Sequence, residues 1–228
     1  MKILTRMTMF AGILLTMAAG QAMAADSVDV KVGGTIVPPA CVPAVSGGAV
    51  FDYGAIKAAS LAKDDYTMLP QKSLTFTLTC DSPMKVAFKS LDARKGTQIP
   101  APDSFPQITT LSGLGSVDNK NVGCYQMNIN ADFIKVDGVS SAYNVIRSND
   151  KGKTWMAAAS DYNSWLFLMD DGYYYSIASK NGGDNLPVPL TTMSGTINMS
   201  AALNKASELD LTKLINLDGQ TTLQIVYL

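Results

Sequence analysis

The sequence predicts an all-β protein, an antiparallel β-sandwich preceded by a separate N-terminal segment. Short stretches of β-branched and aromatic residues with alternating polarity recur along the chain, and turn signals rich in Gly, Asp, Asn and Pro separate them. Helical periodicity is weak and limited to residues 52–62 and 204–216, which could form at most two or three turns each.

Residues 1–24 have the layout of a secretory signal peptide. Lys2 and Arg6 precede an apolar run that starts at Met7, and a small-x-small cleavage site ends at Ala24. A membrane anchor is the alternative, but the apolar run is shorter than the ~20 residues that span a bilayer. We therefore expect an exported chain of about 204 residues, which can form one domain or, less readily, two.

Composition restricts the chemistry of the exported chain. Without Lys2 and Arg6 it holds 16 basic and 19 acidic residues, so nothing in its charge indicates nucleic acid or an anionic membrane as a partner. The whole chain has no histidine, which removes Ser-His, Cys-His and histidine-ligated metal sites. The sequence predicts no enzyme activity, no catalytic residues, no metal site and no cofactor.

The stretch from Val28 to Cys41 predicts a strand that stands apart from the domain. On one face of such a strand would lie Val28, Val30, Val32, Gly34 and Ile36. Pro38 and Pro39 then interrupt any hydrogen-bonded ladder before the cysteine. Residues 25–39 are thus predicted to form an arm that another molecule binds, and an edge strand of the same domain is the alternative.

Three cysteines fall in the exported part, where disulfides persist. Cys41 and Cys80 both lie at strand ends, 39 residues apart, and this placement favours a disulfide between them, although other pairings stay open. Closing that loop stabilises by about 4 kcal/mol in the chain-entropy model. Cys124 is then either a buried thiol in a strand or a partner in an intermolecular or alternative bridge.

The domain itself, residues 40–228, reads as strands joined by turns, with an Asp-Gly hairpin predicted at 169–173. Many short strands with frequent turns are typical of a sandwich of immunoglobulin type. The predicted strands are Thr75 to Cys80, Lys85 to Leu91, Cys124 to Val136, Tyr143 to Ser148, Ser164 to Met169, Tyr173 to Ser179, Gly195 to Leu203 and Thr221 to Leu228.

One motif indicates a competing function. The stretch SNDKGKTW, Ser148 to Trp155, fits the Asp-box hairpin that repeats in sialidase-like propellers. A propeller needs several blades and this chain shows one copy. We expect a stable turn in which Asp150 accepts backbone amides, Gly152 has positive φ and Trp155 packs beneath.

Other candidate sites are weaker. Asp170 and Asp171 are adjacent, so they point apart in a strand or cap a turn, which does not suit a paired-carboxylate mechanism. An aromatic surface for sugar would need five side chains to lie together, but tyrosine accumulates in strands anyway. These five are Tyr173, Tyr174, Tyr175, Trp155 and Trp165.

The segment VKVGGTIVPPAC resembles the N-terminal extension of chaperone-usher fimbrial (pilin) subunits, in which alternating apolar residues and a glycine lead to a cysteine that is bonded some 40 residues on. The end of the chain, GQTTLQIVYL, resembles the terminal strand of these subunits with its penultimate tyrosine, Tyr227. The central region, about residues 90–190, is longer than in ordinary pilins and looks more like the larger beta-fimbriae-type subunits.

The resemblance implies an immunoglobulin-like sandwich that lacks its last strand and receives the arm of a neighbouring subunit. Gly34 would lie where the groove is shallow, and the pocket-filling side chains would be those of Val28, Val30, Val32 and Ile36. The receiving edge, which a periplasmic chaperone would also bind, would be formed by Thr221, Leu223, Ile225 and Tyr227.

Two function classes therefore stay open. The first is a structural subunit of a surface fimbria that is delivered by a periplasmic chaperone to an outer-membrane usher, polymerises by donor-strand exchange and supports adhesion, with a host or matrix glycan as a further partner. The second is a secreted β-sandwich that binds or acts on glycans. The sequence does not distinguish a major from a minor subunit, and it does not identify the ligand.

Overall fold

The computed structural model describes residues 28, 30–37, 39–103, 105, 110–140, 142–158 and 165–228. The predicted signal peptide, residues 1–24, lies outside the described residues. The chain divides into two units, one ending at Val37 and the other running from Pro38 to Leu228. The second unit is an antiparallel β-sandwich, so the predicted all-β class is confirmed.

Sixteen strands lie among the described residues. They are β1 (Cys41–Val45), β2 (Thr67–Met68), β3 (Lys72–Met84), β4 (Val86–Asp92), β5 (Ser112–Gly113), β6 (Ser116–Val117), β7 (Lys120–Asn121), β8 (Gly123–Asn130), β9 (Lys135–Val136), β10 (Val139–Ser140), β11 (Tyr143–Ser148), β12 (Met156–Ala157), β13 (Trp165–Phe167), β14 (Tyr174–Ser179), β15 (Leu190–Leu203) and β16 (Thr221–Tyr227).

Two sheets form the sandwich. The first has the order β1-β3-β15-β8-β13, and the short strands β2, β5, β9 and β10 extend it. The second has the order β12-β11-β14-β4-β16. Strands β6 and β7 form a separate hairpin.

The alternation of β3 shows why these residues form a sandwich. Phe76, Leu78 and Cys80 are buried, whereas the alternate residues Thr75, Thr77 and Thr79 face solvent. Phe76 meets Phe88 of the second sheet edge to face, with ring centroids 5.9 Å apart. The core therefore lies between the two sheets, as the period of the sequence requires.

The central region adds strands to the second sheet and a covering loop to the first. It contributes β11, β12 and β14, which widen the second sheet beyond β4. It also contributes a loop that covers the outer face of the first sheet, where Ile99, Phe105 and Leu111 pack against Cys124 and Ala202. This outer cluster explains why Cys124, which points away from the main core, is fully buried.

The two weakly helical segments contain one-turn 3-10 helices, Ala58–Ser60 and Ala206–Glu208, within the limit of two or three turns set by the sequence. One predicted strand and one predicted hairpin are wrong. The predicted strand from Cys124 to Val136 is interrupted by a 3-10 turn at Ala131–Phe133, because the Asn130 side chain accepts a hydrogen bond from the Asp132 amide and turns the chain.

The second wrong prediction is the Asp-Gly hairpin at 169–173. The turn exists, with φ of +84° at Gly172 and the Tyr173 amide donating to Asp171. However, β13 before it pairs with β8 in the first sheet, and β14 after it pairs with β11 and β4 in the second. The segment therefore crosses between sheets and does not fold back on itself.

Candidate functional site

The two longest edge strands, β1 and β16, lie at the edges of different sheets and meet at one end. Cys41 and Cys80 form a disulfide, as predicted, and they lie directly opposite each other in the β1–β3 ladder. The Cys41 amide donates a hydrogen bond to the Tyr227 hydroxyl of β16, with 2.8 Å between the two atoms. This bond spans from the edge of the first sheet to the edge of the second.

Strand β16 has one paired and one open side. It pairs with β4 over its whole length, from Thr221 opposite Asp92 to Tyr227 opposite Val86, and no other described strand pairs with it. The Ala93 amide donates to the Gln220 carbonyl and the Leu228 amide to the Lys85 carbonyl. Even-numbered positions thus bond to β4.

The odd-numbered positions of β16 consequently direct their backbone groups to the open side. These are the four residues that the sequence placed on one face: Thr221, Leu223, Ile225 and Tyr227. Leu223 and Ile225 pack against the main core but are only half-buried, and Tyr227 is 46% exposed. An apolar strip and a row of unpaired backbone groups therefore share one edge.

The facing edge, β1, is arranged in the same way. The Asp81 amide donates to the Ala40 carbonyl, so Cys41, Pro43 and Val45 direct their backbone groups away from β3. Pro43 lies at a position where its missing N–H would point to the open side, so the β1–β3 ladder loses no bond.

The open sides of β1 and β16 border a groove, and a cavity of about 640 Å³ lies at its Thr221 end, away from Tyr227. The segment after β1 forms one wall with Val50, Phe51 and Tyr53, and the segment before β16 forms another with Leu214 and Leu217. Its floor consists of four buried side chains: Tyr125 of β8, Met199 and Leu203 of β15, and Val122, the residue just before β8. The volume falls within the range of about 300–1,000 Å³ that is typical of ligand pockets.

One polar contact fixes the start of β16 at this cavity. The hydroxyls of Tyr125 and Thr221 are hydrogen-bonded at 2.7 Å, and burial of Tyr125 raises the pKa of its phenol. Tyr125 is therefore neutral at physiological pH, and the cavity floor carries no charge.

The N-terminal segment presents the alternating residues of the predicted donor strand. Val28, Val30, Val32 and Ile36 are exposed, and the exposed fraction reaches 98% at Val32. Gly34 has no atom within 4 Å of the position where a Cβ would lie. No described residue of this segment is in a strand.

The SNDKGKTW motif forms the self-contained turn predicted for it. Asp150 accepts from the Thr154 amide at 2.9 Å and from the Thr154 and Ser148 hydroxyls, and these bonds hold the pKa of its carboxyl well below the usual range. Gly152 has φ of +87°, and the Trp155 indole donates to the Gly152 carbonyl. The side-chain oxygens of Ser148, Asp150 and Thr154 are thus used within the turn.

This turn also contacts the last residue of the chain. A Cβ on Gly152 would lie 2.9 Å from Cδ2 of Leu228, the residue that follows β16. The loop between β11 and β12, at one edge of the second sheet, therefore packs against the end of β16 at the opposite edge.

The remaining predicted residues do not form a common site. Trp155 belongs to the turn beside the second sheet, whereas Trp165 lies on β13 of the first. Tyr175 is buried and donates to Asp171, while Arg147 lies 4.9 Å above the Tyr173 ring. The structure therefore does not assemble these aromatic side chains into the single surface that sugar binding would need.

The third cysteine is a buried free thiol, the first of the two readings of the sequence. Cys124 has no exposed surface, and burial raises its pKa to about 12. Such a thiol is protonated and unreactive at physiological pH.

The described residues contain neither a candidate metal site nor a helix that could span a membrane. No group of three or more Cys, Asp or Glu side chains there is arranged to hold a metal ion. No helix in that part of the chain has the length and apolarity of a membrane span.

Sequence reasoning missed the cavity walls and the Cys41–Tyr227 bond. Phe51, Tyr53 and Leu217 come from segments without regular alternation, so no period marked them as facing inward. The bond joins residues 186 positions apart, which no local pattern can indicate.

Comparison with known proteins gives two similar chains in Escherichia coli strain K12. Uncharacterized protein YhcF is 29% identical over an alignment of 228 positions that covers 92% of this chain and 94% of that protein. Protein GltF is 27% identical over an alignment of 250 positions that covers 94% of each chain. Residues 30–134 match the model of the family described as a protein of unknown function (DUF1120). The match spans the alternating segment from Val30 onward, both cysteines of the disulfide and strands β1 to β8.

Proposed function

We propose that this protein is a structural subunit of a surface fimbria, which polymerises by donor-strand complementation and exchange and supports adhesion. A periplasmic chaperone holds the exported subunit and delivers it to an outer-membrane usher. The arm of each subunit, residues 25–39, then fills the groove of its neighbour. The protein acts as a building block and not as an enzyme.

The observation that carries this proposal is the open edge of β16. Four residues there direct unpaired backbone groups outward, while the inner-facing Leu223 and Ile225 are only half-buried. An added strand would pair with those groups and cover the apolar side chains, which is the physical basis of strand addition.

The strand order supports an immunoglobulin-like domain without its last strand. In that fold one sheet has the order A-B-E-D, and strand C lies beside F and G in the other. The order β1-β3-β15-β8 corresponds to the first sheet, and β4 beside β16 corresponds to C beside F. The place of strand G is the open side of β16.

The N-terminal segment supplies a matching strand. Val28, Val30, Val32 and Ile36 would enter the groove, and their exposure in the isolated chain leaves them available for burial. Gly34 would lie where the groove is shallow, because a residue without Cβ lets the two backbones approach closely.

An open edge of this kind requires a partner during export. An unpaired strand with an apolar face is a template for aggregation. The chaperone would cover it through Thr221, Leu223, Ile225 and Tyr227 until the next subunit takes its place. Because arm and groove are different surfaces, the contact between copies is heterologous and propagates as an open fibre on the cell surface.

The alternative is a secreted β-sandwich that binds glycans or acts on them. Its support from the sequence is the Asp-box pattern, and the side-chain oxygens of Ser148, Asp150 and Thr154 in that motif are engaged within their own turn. The fimbrial proposal accounts for more of the chain, since it uses the arm, the disulfide and β16 together.

Thermal unfolding of a self-complemented variant tests the proposal. The arm, residues 25–37, is removed, and the sequence DSVDVKVGGTIV is attached after Leu228 through a flexible linker. Burial of four apolar side chains contributes roughly 1.5–3 kcal/mol each, and 1 kcal/mol shifts Tm by about 2–4 °C in a domain of this size. We therefore expect Tm to rise by about 12–48 °C relative to the arm-deleted chain.

The matched control carries the same extension with Val30, Val32 and Ile36 changed to Asp. It should have the same Tm as the arm-deleted chain, because the altered extension should not pair with the groove. If all three proteins melt alike as stable monomers, the sandwich is already complete and donor-strand exchange is wrong.

A further inference from the structure

A depression on the outer face of the first sheet lies away from the groove. It measures about 310 Å³ and is lined by Asn130, Phe133, Thr196 and Asn198. That volume is at the low end of the range of about 300–1,000 Å³ for small-ligand pockets. None of these four residues lines the groove or the large cavity.

An irregularity of the sheet builds this depression. Strands β8 and β9 both pair with β15, where Ile129 is opposite Ile197 and Lys135 is opposite Ser194. Five residues, 130–134, therefore lie opposite two, 195–196, and the surplus forms the 3-10 turn Ala131–Phe133. Bulges of this kind redirect side chains and are frequent next to binding sites.

The bulge places one aromatic side chain in solvent. Ala131 and Ile134 are fully buried on its inner side, whereas Phe133 between them is 71% exposed. An exposed Phe that borders three polar side chains offers an apolar surface beside hydrogen-bonding groups.

The two amides of the depression have a fixed orientation. Asn130 Oδ1 accepts from the Asp132 amide at 2.9 Å, and Asn198 Oδ1 accepts from the Ser73 hydroxyl at 2.7 Å. Because each amide carries one oxygen and one NH₂ group, its donor end remains available. Within the described residues, neither Nδ2 atom has a protein acceptor among the hydrogen bonds of the fold.

The depression is also uncharged. Its four lining residues are neutral, and the adjacent Asp132 carboxylate is paired with Lys180 at 2.8 Å. A charged ligand would gain little here, whereas a neutral ligand rich in hydroxyl oxygens could accept from both amides.

We propose that this depression binds a single neutral pyranose ring of a glycan. The C–H face of the ring packs on Phe133, and ring hydroxyls accept from the Asn130 and Asn198 amides and exchange hydrogen bonds with Thr196. The proposal does not depend on donor-strand exchange, because the two sites share no residue and lie on different faces.

Saturation-transfer NMR on the exported chain tests the proposal, since it observes the sugar and tolerates any state of assembly. The probes are the methyl glycosides of glucose, mannose and galactose and free N-acetylglucosamine, each raised to about 10 mM, roughly ten times a Kd of 1 mM. We expect transfer to the hydrogens of one ring face for at least one probe, and none to the acyclic polyol sorbitol.

Variants identify the site. Phe133→Ala should weaken binding at least tenfold. Asn198→Asp keeps an oxygen for Ser73 but replaces the donor with an acceptor, so it should weaken binding as well. Leu186→Ala removes another exposed apolar side chain and should leave the signal unchanged. Absence of transfer for all four probes, or transfer that Phe133→Ala leaves intact, would overturn the proposal.

Discussion

The two edges of the second sheet differ in how far they are open to another strand. At one edge, β12 has two residues, Met156 and Ala157, and both are exposed. At the other edge, β16 has seven residues, and its inward-facing side chains are only half covered. Short edge strands are a common protection against unwanted pairing, whereas a long strand with an apolar face invites it.

The difference indicates that only the β12 edge is protected against pairing with another strand. The β12 edge ends next to a turn whose polar groups are bonded to one another, so it offers little for pairing. The β16 edge retains the length, the unpaired backbone groups and the apolar strip that a further strand needs. An exposed edge of this kind favours aggregation, so its presence in the fold supports a role in pairing with another strand.

The largest expected effect contrasts one residue from each edge. Ile225→Ala should lower the free energy of unfolding of the self-complemented chain by about 2–5 kcal/mol, the range for truncation of a buried Ile. The cost should be clearly smaller in the arm-deleted chain, where Ile225 stays half exposed. Urea denaturation of both forms measures the difference.

Met156→Ala at the β12 edge is the matched control for Ile225→Ala. It should change the stability of either form by less than about 0.5 kcal/mol, as is usual for surface positions. Equal losses for Ile225→Ala in the two forms would mean that no strand covers β16, and the contrast between the edges would disappear.

A smaller effect tests whether the β12 side supports the β16 side through Gly152. Gly152→Ala and Gly138→Ala both place a side chain at positive φ, +87° and +84°, at a cost of roughly 1–2 kcal/mol each. Only at Gly152 would the new Cβ meet Leu228, while at Gly138 nothing lies within 4 Å. We expect Gly152→Ala to cost about 1 kcal/mol more, because overpacking adds to the strain.

Leu228→Ala in the Gly152→Ala background provides the check on this assignment. It should recover the additional loss and leave the part that Gly138→Ala also shows, as measured by urea denaturation. If Leu228→Ala does not recover any of the lost free energy of unfolding, the contact between Gly152 and Leu228 does not contribute to stability.

The smallest effect concerns the pH dependence of the same turn. The pKa of Asp150 is lowered, chiefly by hydrogen bonds from Thr154, so its contribution to stability is present above the unfolded pKa of about 3.9 and is lost as the pH falls toward the folded value. Asp150→Ala should therefore reduce stability at pH 7 and 5, and the gap to the parent chain should narrow at pH 3. Asp150→Asn also lacks the titrating carboxyl, so its stability difference from Asp150→Ala should stay constant between pH 7 and pH 3, while both gaps to the parent chain narrow.

Alternation predicted the strands well, since Tyr143 to Ser148 forms β11 and Thr221 to Tyr227 forms β16. It could not predict which sheet a strand joins, because a period of two fixes the face of a residue and not its neighbours. The turn at Asp171 and Gly172 illustrates this limit, since the same residues serve a hairpin or a crossing between sheets.

The groove was predictable in part and the outer depression was not. The inward-facing residues of β16 share one face because they alternate along the strand, and Cys41 and Cys80 lie at strand ends. In contrast, Phe133 lies in what reads as a continuous strand. Asn130 and Asp132 were the available signal, because such residues in a strand favour a local turn over the ladder.

The Cys41–Tyr227 hydrogen bond also bears on the order in which the molecule folds. It joins residues 186 positions apart, and β16 pairs with β4 across more than 120 residues. Contacts between residues so distant in sequence form slowly, because the entropy of closing the loop is lost before the contacts stabilise the structure. The β16 edge, which we propose receives a partner, is therefore expected among the last parts of the sandwich to form, so a chain that has not finished folding would present no groove to occupy.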